Sequence, residues 1–309
     1  MKSINKYIFL LSAFGLMACE DQIYPKLKEA DQILAIDAWV NDKIEAQTIR
    51  VYKSAPYFDN SVREGLNGAE VYIQDNENNR FDFQDAGKGE YVWMPDGNVG
   101  FGSVGKTYTL SVLVDGILFQ SVSVKNRVPE IDSVSFRFEK ASLGNPDMHM
   151  GTFYARDPIG TGDTYWIKSY KNGLYLNKPS EINIAYDAGF NAGAVIDGLV
   201  FIQPIRDQVN RFDEDPKDEL NVLPPYEDGD SLSVEIHSIT NEAYHFLSEM
   251  REVLDRPGGF GELFTSPLGN LKSNISCISV ESVEVVGFFC ISAVEAKGKR
   301  LDVSQVPHE

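Results

Sequence analysis

Long apolar runs are missing from most of this sequence, and histidine, cysteine and positive charge are all scarce. Beyond residue 18 no stretch reaches eighteen apolar residues, so nothing there reads as a membrane-spanning helix. The four histidines are His149, His237, His245 and His308, and none sits in an HExxH pattern, which removes the zinc-protease arrangement. There is no Gly-x-Ser-x-Gly elbow, no Walker loop and no dinucleotide fingerprint. Basic side chains number 28 against 46 acidic ones. Nucleic acid is therefore a poor partner, because neutralising phosphates takes clustered lysine and arginine. Anionic lipid headgroups are disfavoured for the same reason, and the acidic shell is read as a solubility device.

The opening residues read as a processing signal. Lys2 and Lys6 make a basic start, and Tyr7 to Leu16 is an apolar run broken only by Ser12 and Gly15. At about ten residues it is too short to span a bilayer, which takes about twenty. It ends in Leu16-Met17-Ala18-Cys19, which resembles the lipobox of bacterial lipoproteins. The expectation is a signal peptide over 1–18, with Cys19 becoming a lipidated N-terminus. Several acyl chains together hold a protein on a membrane where one binds only marginally. Removing residues 1–18 takes away Lys2 and Lys6 and no acid, so 26 basic side chains then face 46 acidic ones. Residues 19–32, with Pro25 and the mixed charges from Lys26 to Asp31, read as a tether.

Strand signals dominate the rest of the chain, and the fold class expected is mainly β. Ile33 to Val40 is apolar on both faces, and Gln47 to Tyr52 alternates. Ala69 to Gln74, Arg80 to Gln84 and Gly89 to Trp93 come next at short intervals. Tyr108–Val114 and Ile117–Val124 flank Asp115-Gly116, the pair a two-residue hairpin turn needs. About seven short strands without helices over 33–128 predict an immunoglobulin-like β-sandwich. Val128-Pro129-Glu130 reads as a boundary, and residues 129–309 as a second β-rich domain with one packed helix.

In that second part Ile131 to Glu139 alternates, and strands are expected near Gly151–Ala155, Thr164–Tyr170, Val195–Gln203 and Ser231–His237. Asp207 to Glu219 is acid-rich and reads as a loop. A helix is predicted over about 240–254, with Thr240 as N-cap and Glu242 near the positive end of its dipole. Ala243, Phe246, Leu247, Met250 and Leu254 form its packing stripe, and Pro257-Gly258-Gly259 ends it. Cys277 and Cys290 flank an expected hairpin. In an oxidising envelope they are either a disulfide, the favoured reading, or two buried thiols on neighbouring strands.

Several segments of this chain occur in a recognisable order: Ala55-Pro-Tyr-Phe-Asp59, Gly105-Lys-Thr-Tyr-Thr-Leu110, the long run Pro225 to Tyr244, Pro267 to Ile275, and Gly287-Phe-Phe289. Together they resemble the domain of unknown function 4249 family of Bacteroidetes lipoproteins, over nearly all of residues 19–300. The resemblance implies accessory service to a TonB-dependent receptor in the outer membrane and carries no catalytic residues. In that setting Glu20 and Asp21 are either a surface-export signal or simply a solvated tether, so the leaflet faced stays open. Asp132-Ser133-Val134 and Asp230-Ser231-Leu232 resemble the O-glycosylation triplet of such bacteria, which makes Ser133 and Ser231 candidate modification sites.

Few residue groups suggest chemistry of their own. His237, His245 and Glu235 are close enough in sequence to meet, though a polar edge is the plainer account. Asp213-Glu-Asp215 and Glu227-Asp-Gly-Asp230 offer oxygen ligands but lack the alternation and closing glutamate of an EF-hand. No metal, cofactor or catalytic residue is assigned. Trp39, Trp93, Trp166 and the tyrosines Tyr154, Tyr165, Tyr170 and Tyr175 would suit a sugar or peptide platform if exposed, and a core if not. The expected function is that of an outer-membrane lipoprotein, a non-enzymatic binding or accessory component whose ligand is unknown. A structural or adhesion module at the cell surface is the alternative.

Overall fold

Alternating apolar residues lay down strand after strand along this chain, and turn chemistry folds each one back. The computed structural model describes residues 32–55, 63–97, 99–142, 145–193, 196–216, 218–256, 269–281 and 283–307. Cys19, Glu20 and Asp21 lie outside the described residues, as do His308 and the expected helix stop at 257–259.

Seven strands come first: β1 (Leu34–Asn41), β2 (Gln47–Lys53), β3 (Glu70–Asp75), β4 (Arg80–Gly87), β5 (Glu90–Trp93), β6 (Thr107–Val114) and β7 (Ile117–Val124). The chain continues through β8 (Ile131–Glu139), β9 (Met148–Ala155), β10 (Thr164–Lys171), β11 (Leu174–Tyr175) and β12 (Asn183–Tyr186). A short helix α1 (Gln203–Asp207), the hairpin β13 (Glu214–Asp215) and β14 (Asp218–Val222), β15 (Ser231–Ile239) and helix α2 (Asn241–Leu254) come next. It closes with β16 (Ser276–Cys277), β17 (Val285–Ser292) and β18 (Val294–Arg300). The protein is mainly β, as its residue pattern requires.

The first seven strands, with β16 and β17, build one continuous nine-stranded sheet of order β16-β7-β6-β3-β4-β5-β2-β1-β17. This differs from the sandwich expected for 33–128, which would split these strands between two sheets. Its end strands β16 and β17 come from the far end of the chain, so the sheet crosses the Val128 boundary. β17 lies parallel to β1, with Leu34 opposite Val285 and Ser292 opposite Asn41. The sheet curls until its two ends nearly meet, enclosing one core that includes Ile36, Ile49, Ile73, Tyr91, Leu110, Phe119, Phe289 and Ile291. The β6–β7 turn has Asp115 at φ 49° and Gly116 at φ 81°, the two positive angles its sequence promised.

A second sheet, β11-β10-β15-β18 with β12 also on β10, packs against the β8–β9 hairpin around Phe153, Tyr165, Phe201 and Ile236. The strand expected over Val195–Gln203 does not form among the described residues of that run. Val200 makes only an isolated bridge to Arg156, and the chain turns into α1, where Pro204 in the first turn has its φ preset for helix. The acid-rich run from Asp207 carries the β13–β14 hairpin.

Helix α2 starts where expected: the Thr240 hydroxyl accepts from the Ala243 N–H at 3.2 Å. Ala243, Phe246 and Leu247 are buried, but Leu254 is 55% exposed, so the packing stripe ends a turn early. The described residues from Gln32 onward belong to one compact unit.

Candidate functional site

Alternation along β10 sends Tyr165 and Ile167 into the second core and Trp166 toward the first sheet, with Lys168 on the same side. There the two sheets meet. Trp39 of β1 packs edge-on to Trp166 with centroids 5.1 Å apart and stacks on Phe288 of β17 at 5.4 Å. Phe246 of α2 closes the group against Phe288 at 4.6 Å. The tryptophans are therefore core: Trp39 and Trp166 join the sheets, and Trp93 packs against Phe81 and Phe101 inside the curled sheet. Tyr154 alone among the expected aromatics is clearly exposed, at 38%, beneath the Arg206 guanidinium.

Beside this aromatic joint lies a buried group of titratable side chains whose protonation is shifted from the ordinary range. Cross-strand pairing sets Glu235 opposite Lys168 and His237 opposite Trp166. The Lys43 ammonium donates to Glu235 Oε1 at 2.8 Å, while Tyr170 Oη donates to Oε2 at 3.1 Å. His237 Nε2 lies 3.1 Å from the same Oε2. Burial alone would raise the Glu235 carboxyl, but bonds from His237 and Lys43 outweigh it and hold it at about 2. Burial holds His237 down at about 4, so its imidazole is neutral near pH 7. The Glu235 oxygens are thereby taken. Lys168 instead sets its ammonium over the Trp166 ring, 4.0 Å from the centroid, and burial lowers it to about 8. His245, which sequence proximity alone could have brought to this group, is exposed on α2 and packs edge-on to Tyr244.

A second polar group occupies the loops beyond β9 and β12. Asp157, Asp187 and Asp197 bring carboxylate oxygens within 4.8 Å of one another. Each carboxylate is already engaged by a loop. Asp157 accepts from Tyr165 Oη at 2.7 Å and from the Gly198 N–H at 3.2 Å. Asp187 accepts from the backbone N–H groups of Gly162 and Asp163 at 2.7 and 3.0 Å, and Asp197 from that of Gly160 at 2.9 Å. Burial raises the Asp157 carboxyl, and the charges of Asp163 and Asp187 add to the effect. The trio is the one set among the described residues whose spacing could hold a cation, and its evident work is fixing three loops.

The acids singled out by sequence do other work. Asp213 pairs with Lys178 and with Arg211, and Asp230 with Lys171 at 3.0 Å. Ser133 is exposed on β8, whereas the Ser231 hydroxyl contacts Asn172 Oδ1 at 3.3 Å.

The expected Cys277–Cys290 disulfide is absent, and both thiols are free. The two strands are not a hairpin: β16 pairs with β7 and β17 with β1. Cys277 packs on the core inside the curled sheet, while Cys290 is buried in the joint outside it. Lys43, Lys168 and the aspartate trio were not singled out by sequence. Lys168 was visible as a charge on the aromatic parity of Trp166 and Tyr170, but the trio is assembled only by tertiary folding.

A mainly β protein built on a curled nine-stranded sheet, with a second sheet joined to it through buried aromatics, is the class these observations define. The family model described as a domain of unknown function, DUF4249, matches residues 20–298, and the chain belongs to that family. No curated protein matches it.

Proposed function

We propose that this chain is an outer-membrane lipoprotein, held by acyl groups on Cys19, that serves as a non-enzymatic binding or accessory component of a TonB-dependent nutrient transporter. The observation carrying this reading is the coincidence of two independent boundaries. The lipobox-like Leu16-Met17-Ala18-Cys19 ends at the residue just before the family match begins. An anchor placed there leaves the entire family region outside the bilayer. The chemistry of the joint supports the non-enzymatic part of this reading, since both Glu235 oxygens and His237 Nε2 are engaged with one another, Lys43 and Tyr170.

Co-purification tests it. A C-terminal tag on the full chain, expressed in its own envelope and extracted in mild detergent, should bring down a large outer-membrane barrel in near-stoichiometric amount. Recovery of the tagged chain without any barrel would overturn the accessory role.

A further inference from the structure

The two ends of the nine-stranded sheet approach one another without pairing. β16 is paired only with β7, and β17 only with β1, among the described residues. Along the upper part of this seam, side chains stand in for the missing ladder. Asn274 Oδ1 accepts from the Phe289 N–H at 2.9 Å, and its Nδ2 donates to the Phe289 carbonyl at 2.8 Å. Ser123 Oγ accepts from the Ile291 N–H at 3.2 Å. Below Phe289, toward Val285, an open cavity of about 450 Å³ takes their place, flanked by Cys277 on one side and by Val285 and Val286 on the other. Most of its lining is polar, from residues such as Asn270, Ser273 and Ser276, with Leu271, Ile275 and Val283 as its apolar patches.

Unpaired strand edges invite another strand, and proteins normally guard them. The edge strand β18 of the second sheet is guarded: it is mostly exposed and carries Glu295, Lys297, Lys299 and Arg300, of both signs. The seam is lined instead by charges of one sign. Glu281 and Glu284 are its only charged side chains, both are exposed, and neither has an ion-pair partner among the described residues. A second copy of this acidic chain docking edge to edge would set these carboxylates against each other. A small cation would leave the backbone edges unpaired.

We propose that this slot receives an extended, basic segment of a partner protein, which adds a strand between β16 and β17. Main-chain hydrogen bonds would supply the affinity, alternate apolar side chains would enter the cavity, and lysine or arginine would face Glu281 and Glu284. From Val285 to Phe288, below the pair that Asn274 closes, the edge is about 10 Å long, enough for a segment of three residues. Such docking depends only on the seam, whether or not the partner is a transporter.

Cys277 supplies the reporter, since its half-buried thiol lines the slot. The probe is an eight-residue peptide of alternating lysine and valine with blocked ends, added to the full folded chain carrying Cys19→Ser, and the readout is the rate of Cys277 alkylation by a small maleimide. Saturating peptide should slow alkylation at least tenfold, and the glutamate–valine counterpart should not. Methylating every second backbone nitrogen should abolish protection in one register and spare it in the other. A Glu281→Gln/Glu284→Gln chain should need about tenfold more peptide. No slowing by the lysine–valine peptide would overturn the proposal. So would equal slowing by both methylated registers, or by a simple alkyl diamine, which would mark a site for small cations.

Discussion

The side chain of Asn274 exchanges two hydrogen bonds with the backbone of Phe289, accepting from its N–H at 2.9 Å and donating to its carbonyl at 2.8 Å. One amide thus imitates a residue of a neighbouring strand where the curled sheet fails to close. Replacing it with aspartate keeps the shape, removes the donor and sets a carboxylate against the Phe289 carbonyl. Asn274→Asp should lower stability by about 2–3 kcal/mol, read by urea denaturation at pH 7. A loss below about 0.5 kcal/mol would show that the seam does not depend on this bond pair.

Gly287 lies in the middle of β17 at φ +111°, and a Cβ there would sit 1.9 Å from the Ile36 carbonyl oxygen. That atom belongs to the backbone of the paired strand and has no flexible end to give way. Gly287→Ala should therefore cost roughly 3 kcal/mol or more. Thermal denaturation should find it far more damaging than Gly105→Ala, where nothing lies within 4 Å of the added carbon, although both positions share a positive φ.

The polar joint makes the protein acid-sensitive. Folded His237 is held at about 4 against an ordinary 6.5, so between these values the unfolded chain takes a proton that the folded one refuses. Stability therefore falls as pH drops from 6.5 to 4. Glu235, held at about 2 against an ordinary 4.5, extends the fall: its contribution is present above 4.5 and is lost as pH drops toward 2. His237→Gln should flatten the slope between pH 6.5 and 4 by about one proton, roughly 1.4 kcal/mol per pH unit. Denaturation midpoints collected across that range, with unchanged slope in the variant, would place the acid sensitivity elsewhere.

The two thiols should differ sharply. In a folded chain carrying Cys19→Ser, a small maleimide should label Cys277, which is half-buried, and spare Cys290, which is fully buried and pushed up to about 11 by that burial. Both should react after unfolding without reductant. Failure of either to react until a reductant is added would restore the disulfide.

How much of this was legible in the residues varied with the range of the interaction. Strands such as Gln47–Lys53, the Asp115-Gly116 turn and the Thr240 cap are written in neighbours a few positions apart, and each lies where its pattern placed it. Val195–Gln203 misled because a short apolar run carries no period, and Pro204 favours a helical turn there. The cysteines misled for a different reason. Thirteen positions of separation suit a hairpin, but nothing local reveals that Val285–Ser292 pairs in parallel with a strand some 250 residues earlier. Likewise Glu235 and His237 are near neighbours in sequence, whereas Lys43 joins them only because the turn after β1 reaches β15 in the folded chain. Family membership was recognisable because it rests on ordered segments, which need no contact map.

The proposed role depends first on the anchor, and intact mass of the chain extracted from its own cell envelope tests that most directly. The expected species begins at Cys19 and carries a diacylglyceryl group on the thiol with an acyl chain on the new N-terminus; Cys19→Ser should lose both and leave the membrane fraction. A mature chain cut elsewhere, or one beginning at Cys19 with no added lipid, would contradict the lipoprotein assignment.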